Sequence, residues 1–147
     1  MTFPSEMERY CSTLFKYRPR TEAEIRRRFR RKGFDERLTE DFIAHLYDLD
    51  MLNDLRFSEM YIEDGISLKK KGPLLLKEEL IKKLGVSPET AEEALSSVPH
   101  EEITAILKKD LEKRPVNDIE KWKKKMYRRG FSIGQIREAI ENETEHL

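Results

Sequence analysis

The chain has 147 residues, with 29 Lys plus Arg against 29 Asp plus Glu, 37% hydrophobic residues and 39% charged residues. So high a charged fraction leaves core material for many short amphipathic elements rather than one thick globule, and zero net charge excludes a uniformly polybasic or polyacidic chain. A single cysteine makes no internal disulfide, no long apolar run spans a membrane and MTFPSEMERY lacks an apolar signal core, so a soluble, cytoplasmic protein is expected.

A first helix is expected over about 4–17, with the apolar stripe Met7, Tyr10, Cys11 and Leu14, which makes Cys11 a core thiol. A second follows over 22–32. Thr21 with Glu24 forms a capping box, Ile25 and Phe29 form a narrow apolar seam, and Gly33 stops the helix in a left-handed turn. Six of the nine residues in RRRFRRKGF, 26–34, are basic. Asp35 caps a third helix over 36–48. Asn53 or Asp54 caps a fourth over 54–68. Gly72-Pro73 opens a helix over 73–84, and Ser87-Pro88 opens one over 88–97. Three more are expected over 100–113, 117–129 and 133–144, the last capped by Ser132. No stretch alternates with strand period, so no sheet is expected.

The basic run has a twin. KKKMYRRGF, 123–131, repeats RRRFRRKGF at an offset of 97 residues, with Met126 for Phe29, Gly130 for Gly33 and Phe131 for Phe34. EELIKKLGV, 78–86, lies between them, with Ile81, Gly85 and Val86 at the same places. Tyr10 and Leu14 match Phe57 and Tyr61, then Ile103 and Leu107; the small residues Cys11, Ser58 and Thr104 share another register. Small side chains there allow close approach of a neighbouring helix. The expected architecture is all-α: three tandem three-helix repeats, 1–50, 51–98 and 99–147, in an elongated, curved, solenoid-like stack.

Charge is segregated by helix class. Residues 21–33 and 118–130 each carry six bases and two acids, and 73–85 carry three and two. The third helices invert this, with four acids and one base in 35–46, three acids and no base in 87–97, and four and one in 132–145. The plain alternative is a set of solvated helix faces with acids early and bases late, which suits the macrodipole. Yet helix 22–32 is basic around most of its circumference, which packing does not require. A stack with basic flanks points to a long polyanionic or acidic partner. Arg26, Arg27, Arg30, Arg31, Lys123, Lys124, Arg128 and Arg129 are the candidate contacts.

Catalysis finds no convergent polar constellation, so a binding protein and not an enzyme is expected, with no cofactor and no metal. His45, His100 and His146 are scattered. DLDMLNDLRFSE, 48–59, echoes a calcium loop, but Leu52 occupies a ligand position and Asn53 the glycine position. Trp122 and Tyr127 flank bases, as base-stacking aromatics do. The spacing Ile119, Trp122, Met126 instead puts the tryptophan on the apolar seam.

YRPRTEAEIRRRFRRKGF, LYDLDMLNDLRFSEMYI and KKGPLLLKEELIKKLGV together resemble the RecX family of bacterial recombinase regulators. The family's motifs fall on Arg20, Thr21 and Glu24, on Lys32 and Gly33, on Leu52, Asp54, Arg56 and Phe57, and on Lys71, Gly72 and Pro73. The match is good over about 10–98, and the last third follows mainly through the repeat. The resemblance implies three tandem three-helix repeats and a non-enzymatic modulator, usually an inhibitor, of RecA. Such proteins lie in the groove of the RecA–DNA filament and lower its ATPase and strand-exchange activities. It also implies a role in recombination, DNA repair and the SOS response, and binding through several repeats suggests that a monomer suffices. The second repeat departs from the pattern because its second helix is much less basic. It should contribute least to binding unless Lys69, Lys70 and Lys71 compensate. The alternative is a direct, nonspecific DNA-binding helical repeat protein. A helix-turn-helix reader is disfavoured because the third helices, in the recognition position, are acidic.

Overall fold

Local capping chemistry sets the helices of this computed structural model, which describes residues 2–113 and 118–145. The first three-helix unit comprises α1 (Ser5–Tyr17), α2 (Glu22–Lys32) and α3 (Glu36–Asp48). The second comprises α4 (Asp54–Ser67), α5 (Pro73–Lys82) and α6 (Pro88–Ser96). The third comprises α7 (His100–Glu112), α8 (Ile119–Arg128) and α9 (Ile133–Glu145). Among the described residues there is no strand. His146 and position 117, where the eighth helix was expected to begin, lie outside the described residues.

The expected caps form. Thr21 Oγ1 accepts from the Glu24 N–H while Glu24 Oε1 accepts from the Thr21 N–H. Asp35 caps α3 through the Leu38 N–H, and Asn53 caps α4 through the Arg56 N–H. Ser132 and Gln135 form a second reciprocal pair at the start of α9. Each such cap stabilises a helix by about 1 kcal/mol. Gly33, Gly85 and Gly130 have φ of +85°, +71° and +100°, the left-handed conformation that ends a helix.

The middle repeat departs from the expected register. Ile25 and Phe29, and likewise Trp122 and Met126, are buried on the seams of α2 and α8. In α5 the buried pair is Leu76 and Leu80, whereas Ile81 is only partly buried. Ile81 is therefore not the equivalent of Phe29. The glycine comes five residues after Leu80 but four after Phe29 or Met126, so α5 ends in a turn wider by one residue. Its closing hydrogen bond runs from the Val86 N–H to the Leu80 carbonyl, against Phe34 to Phe29 and Phe131 to Met126 elsewhere.

The apolar core divides in two. One cluster comprises Phe3, Met7, Cys11, Leu14, Ile25, Phe29, Phe42, Ile43, Leu46 and Leu52, with Phe34 edge-on to Phe29 at 5.1 Å. The other runs through α4 to α9 without a break, from Ile62 to Ala139. The small residues Cys11, Ser58 and Thr104 are all buried, and burial pushes the Cys11 thiol up to about 11. The accessible surface is 9752 Å², against about 7,900 Å² for a compact monomer of this mass, so the stack is extended.

What joins the repeats is the turn at the end of one second helix, seated on the start of another. The Arg129 and Gly130 carbonyls accept from the N–H groups of Gly72 (2.6 Å) and Leu74 (3.0 Å). The Leu84 carbonyl accepts from Thr21 Oγ1 at 2.7 Å, and Gly85 lies against the Ala23 Cβ. Thus α8 abuts α5, and α5 abuts α2, about 45 Å of helix in three consecutive pieces. A Cβ on Gly72 would collide with the Gly130 carbonyl and the Phe131 nitrogen, although φ −84° and ψ 164° suit any residue. A Cβ on Gly33 would meet nothing within 4 Å and suffer only from its positive φ. In denaturant unfolding, Gly72→Ala should therefore lose about 2 to 3 kcal/mol, and Gly33→Ala about 1 kcal/mol. The reverse order would remove the junction from its place in the fold.

Candidate functional site

The candidate bases lie on α2 and α8, and the geometry sorts them into two kinds. On α2 the seam of Ile25 and Phe29 turns inward, which leaves Arg27, Arg30 and Arg31 exposed on the far side. None of these three makes an ion pair with a described residue. Arg26 differs. Its Nε lies 2.7 Å from Glu40 Oε2, and its terminal nitrogen lies 2.7 Å from Glu22 Oε1 and 2.8 Å from Glu40 Oε1. The hydrogen bond to Glu40, helped by Glu22, raises the guanidinium pKa further, and the same bond lowers that of Glu40. Arg26 thus ties α2 to α3, with Nε and one terminal nitrogen engaged by Glu40 and Glu22.

Beneath this row lies a buried polar cluster. Glu24 is 4% exposed and pairs with Arg18; Arg20, 8% exposed, donates from Nε to the Leu14 carbonyl at 3.2 Å. Burial opposes ionisation of Glu24. The Arg18 hydrogen bond, the Thr21 N–H and the charges of Arg18 and Arg20 outweigh it, so its pKa is lowered. Next to it, the Asp54 carboxylate accepts from the Glu22 N–H at 2.9 Å and pins α4 to the start of α2. Burial and the Glu22 charge raise the pKa of Asp54. These motif residues hold the first two repeats together rather than facing outward.

On α5 the basic row is interrupted. Superposing the buried pairs puts Glu78 at the position of Arg27, where it pairs with Lys82 at 3.0 Å. Lys71 is bound by Glu79 at 2.8 Å, and Lys70 lies 3.9 Å from Asp110. Of the three lysines that could compensate for the middle repeat, only Lys69 is left without such a partner.

On α8, Lys124 and Arg128 are exposed and make no ion pair with a described residue. Lys123 Nζ lies 3.0 Å from Glu120, one turn earlier. Arg129 is half-buried at the junction, where its carbonyl receives the Gly72 N–H. Trp122 is 2% exposed, and its indole N–H donates to Asp110 at 2.9 Å, so it belongs to the core. Tyr127 is 58% exposed.

Of the eight candidate bases, those without an ion pair to a described residue and exposed are therefore Arg27, Arg30 and Arg31 near one end of the stack and Lys124 and Arg128 near the other. Sequence reasoning did not single out Arg137. It stands where Glu40 stands in α3 and Glu92 in α6, and aligning the third helices by their cap residues Asp35, Ser87 and Ser132 would have shown it. Among the described residues no group of three or more His, Cys, Asp or Glu side chains could hold a metal ion, and no helix is long and apolar enough to cross a membrane.

These features define an all-α repeat protein, built of three-helix units joined at glycine turns. A family model described as RecX, first three-helix domain, matches residues 11–46, and one described as RecX, second three-helix domain, matches 53–95. A Thermotoga maritima protein named Regulatory protein RecX is 32% identical over 136 residues, covering 89% of this chain and 80% of its own length. A Halalkalibacterium halodurans protein of the same name is 33% identical over 129 residues, covering 85% and 48%. The crystal structure of RecX from Lactobacillus salivarius superposes with a TM-score of 0.80 at 25% identity over 94% of both chains. The chain belongs to the RecX family. It spans about half the length of the relatives from Halalkalibacterium halodurans and Bacillus velezensis.

The buried carboxylate gives a pH test. Because the folded-state pKa of Glu24 is lowered, its stabilisation is present above the unfolded value, about 4, and is lost as pH falls through the folded value. Glu24→Gln should cost about 3 kcal/mol at neutral pH by leaving Arg20 buried without its carboxylate. Its stability should also fall less than wild type between pH 5 and 3, followed by urea unfolding, the window being set by about 4 for an ordinary carboxylate. Parallel acid limbs would mean that Glu24 is not the group responsible.

Proposed function

We propose that this protein binds the RecA–DNA filament and lowers its ATPase and strand-exchange activities, as a regulator in recombination, DNA repair and the SOS response. Family membership supports a regulatory role, and relatives carry the name Regulatory protein RecX. The observation that carries the binding surface is the set of exposed, unpaired guanidinium groups of Arg27, Arg30 and Arg31 on α2, with Lys124 and Arg128 on α8. Chargeable groups already engaged in the fold offer little to a partner, whereas these are free to pair with phosphates or carboxylates. Arg26 drops out of the contact set, Lys123 and Arg129 become peripheral to it, and the interrupted row on α5 makes the middle repeat a spacer.

An extended stack with free cations near both ends suits contact with more than one repeat of a filament, and a monomer suffices for it. No cofactor or metal is required. Specific groove reading of bare DNA by the third helices is disfavoured, because Asp35, Glu36, Glu40 and Asp41 would face the phosphates. Nonspecific DNA binding through the same free bases is the second function they support. It would weaken steeply with salt.

The test is RecA-catalysed, single-stranded-DNA-dependent ATP hydrolysis titrated with the protein, beside its binding to the same DNA without RecA at the same salt. ATPase should fall at concentrations well below those that coat the DNA. The double substitution Arg27→Glu with Arg31→Glu should raise the half-inhibitory concentration at least roughly tenfold, with helix content unchanged by circular dichroism. Inhibition only where the DNA is coated would identify a nonspecific nucleic-acid binder. Undiminished inhibition by the double variant would take α2 out of the contact surface.

A further inference from the structure

The cleft between the second and third helix of each repeat is closed in two repeats and open in the last. In the first, Arg26 reaches across to Glu40. In the second, Lys77, at the position of Arg26, pairs with Glu92, at the position of Glu40. In the third, the same two places hold Lys123 and Arg137. Two cations cannot pair, so the bridge is missing. Relative to the first repeat three further exchanges accompany this one, at places where the middle repeat already holds Ile81, Pro88 and Ala91. Arg30 becomes Tyr127 and Glu36 becomes Ile133, and these apolar replacements are 58% and 61% exposed. Thr39 becomes Ile136, which extends the apolar floor. The cleft of the first repeat encloses about 160 Å³; the groove between α8 and α9 encloses about 890 Å³.

We propose that this groove is a docking site for an acidic, amphipathic helical segment of a partner protein. Two sister clefts show what chemistry the position accepts, a carboxylate against the base of the second helix. In the third repeat Lys123 pairs, among the described residues, only with Glu120 of its own helix, at 3.0 Å, and no acid faces it across the cleft at the place of Glu40 and Glu92, so a carboxylate set between Lys123 and Arg137 has to come from outside. Lys124 and Arg128 add positive charge to the rim, with Glu141 the acid among the lining residues. The floor of Tyr127, Ile133 and Ile136 calls for apolar side chains at helical spacing, as in helix-in-groove recognition. A phosphodiester strand would satisfy the rim but leave this floor uncovered, so a protein segment fits better than nucleic acid. The inference does not depend on RecA, and neither Ile133 nor Arg137 belongs to the filament-binding set above.

The experiment uses the ¹⁵N-labelled full chain and a synthetic amphipathic helix about four turns long, with leucines on one face and glutamates flanking them. Amide shifts should saturate and concentrate at Tyr127, Ile133, Ile136 and Arg137. Arg137→Glu restores the acid of the sister repeats. It should keep the fold, pair with Lys123 and weaken the peptide at least roughly tenfold. Arg27→Glu with Arg31→Glu should leave peptide affinity unchanged. An analogue with lysines for the glutamates should not bind. The proposal is overturned if Arg137→Glu binds like wild type or if the lysine analogue binds equally. It is also overturned if a single-stranded oligonucleotide shifts these amides while the peptide does not. Sedimentation showing that Ile133 is covered by a second copy of the chain would overturn it too.

Discussion

A helix leaves its last carbonyls and first N–H groups without partners, and here one helix end supplies what the other lacks. The carbonyls of Arg129 and Gly130 meet the N–H groups of Gly72 and Leu74, and the Leu84 carbonyl meets the Thr21 hydroxyl. The negative end of one macrodipole thereby lies against the positive end of the next. The contact requires backbone to approach backbone, which fixes glycine at 72. At the other junction Thr21 is the cap residue and its N–H is already held by Glu24, so its side chain makes the bond instead. The spacing of the repeats, and hence of everything on their surfaces, follows from these two joints.

Neutrality has its own structural basis. Acids of the third helices neutralise bases of the second through Arg26 with Glu40 and Lys77 with Glu92, and these pairs close the clefts between the helices. Within the middle repeat Glu78 and Glu79 hold Lys82 and Lys71. The bases left over include the exposed row of Arg27, Arg30 and Arg31 on α2 and Lys124 with Arg128 on α8. A protein with no net charge can in this way present local positive surface, because pairing is decided position by position and not by the total.

The third repeat keeps the frame of the other two and changes its surface. Its cap, its left-handed glycine and its buried pair of Trp122 and Met126 follow the common pattern. The surface difference that sets it apart from both is Arg137, which replaces the acid that closes the cleft in the other two, and exposed Tyr127 and Ile133 flank the open groove. Core positions are constrained by packing on all sides, whereas a surface position can change its chemistry at little cost to the fold.

The helices and the repeat are set by chemistry local in the chain. Capping residues, prolines at first turns and isolated glycines act within a few residues of chain, so Thr21, Asp35, Ser87, Ser132 and the three left-handed glycines were legible before any packing was known. The segregation of bases and acids was equally legible. Tertiary structure alone decided which bases are free. Arg26 and Arg27 are neighbours in the chain, yet a turn of about 100° per residue sends one to Glu40 and the other to solvent. It also decided the register of α5, because LLLKEELI is apolar on several sides and periodicity cannot choose between Leu80 and Ile81. The groove of α8 and α9 depends on side chains from two helices meeting across a turn, and such a meeting is a property of packing, which no local pattern encodes.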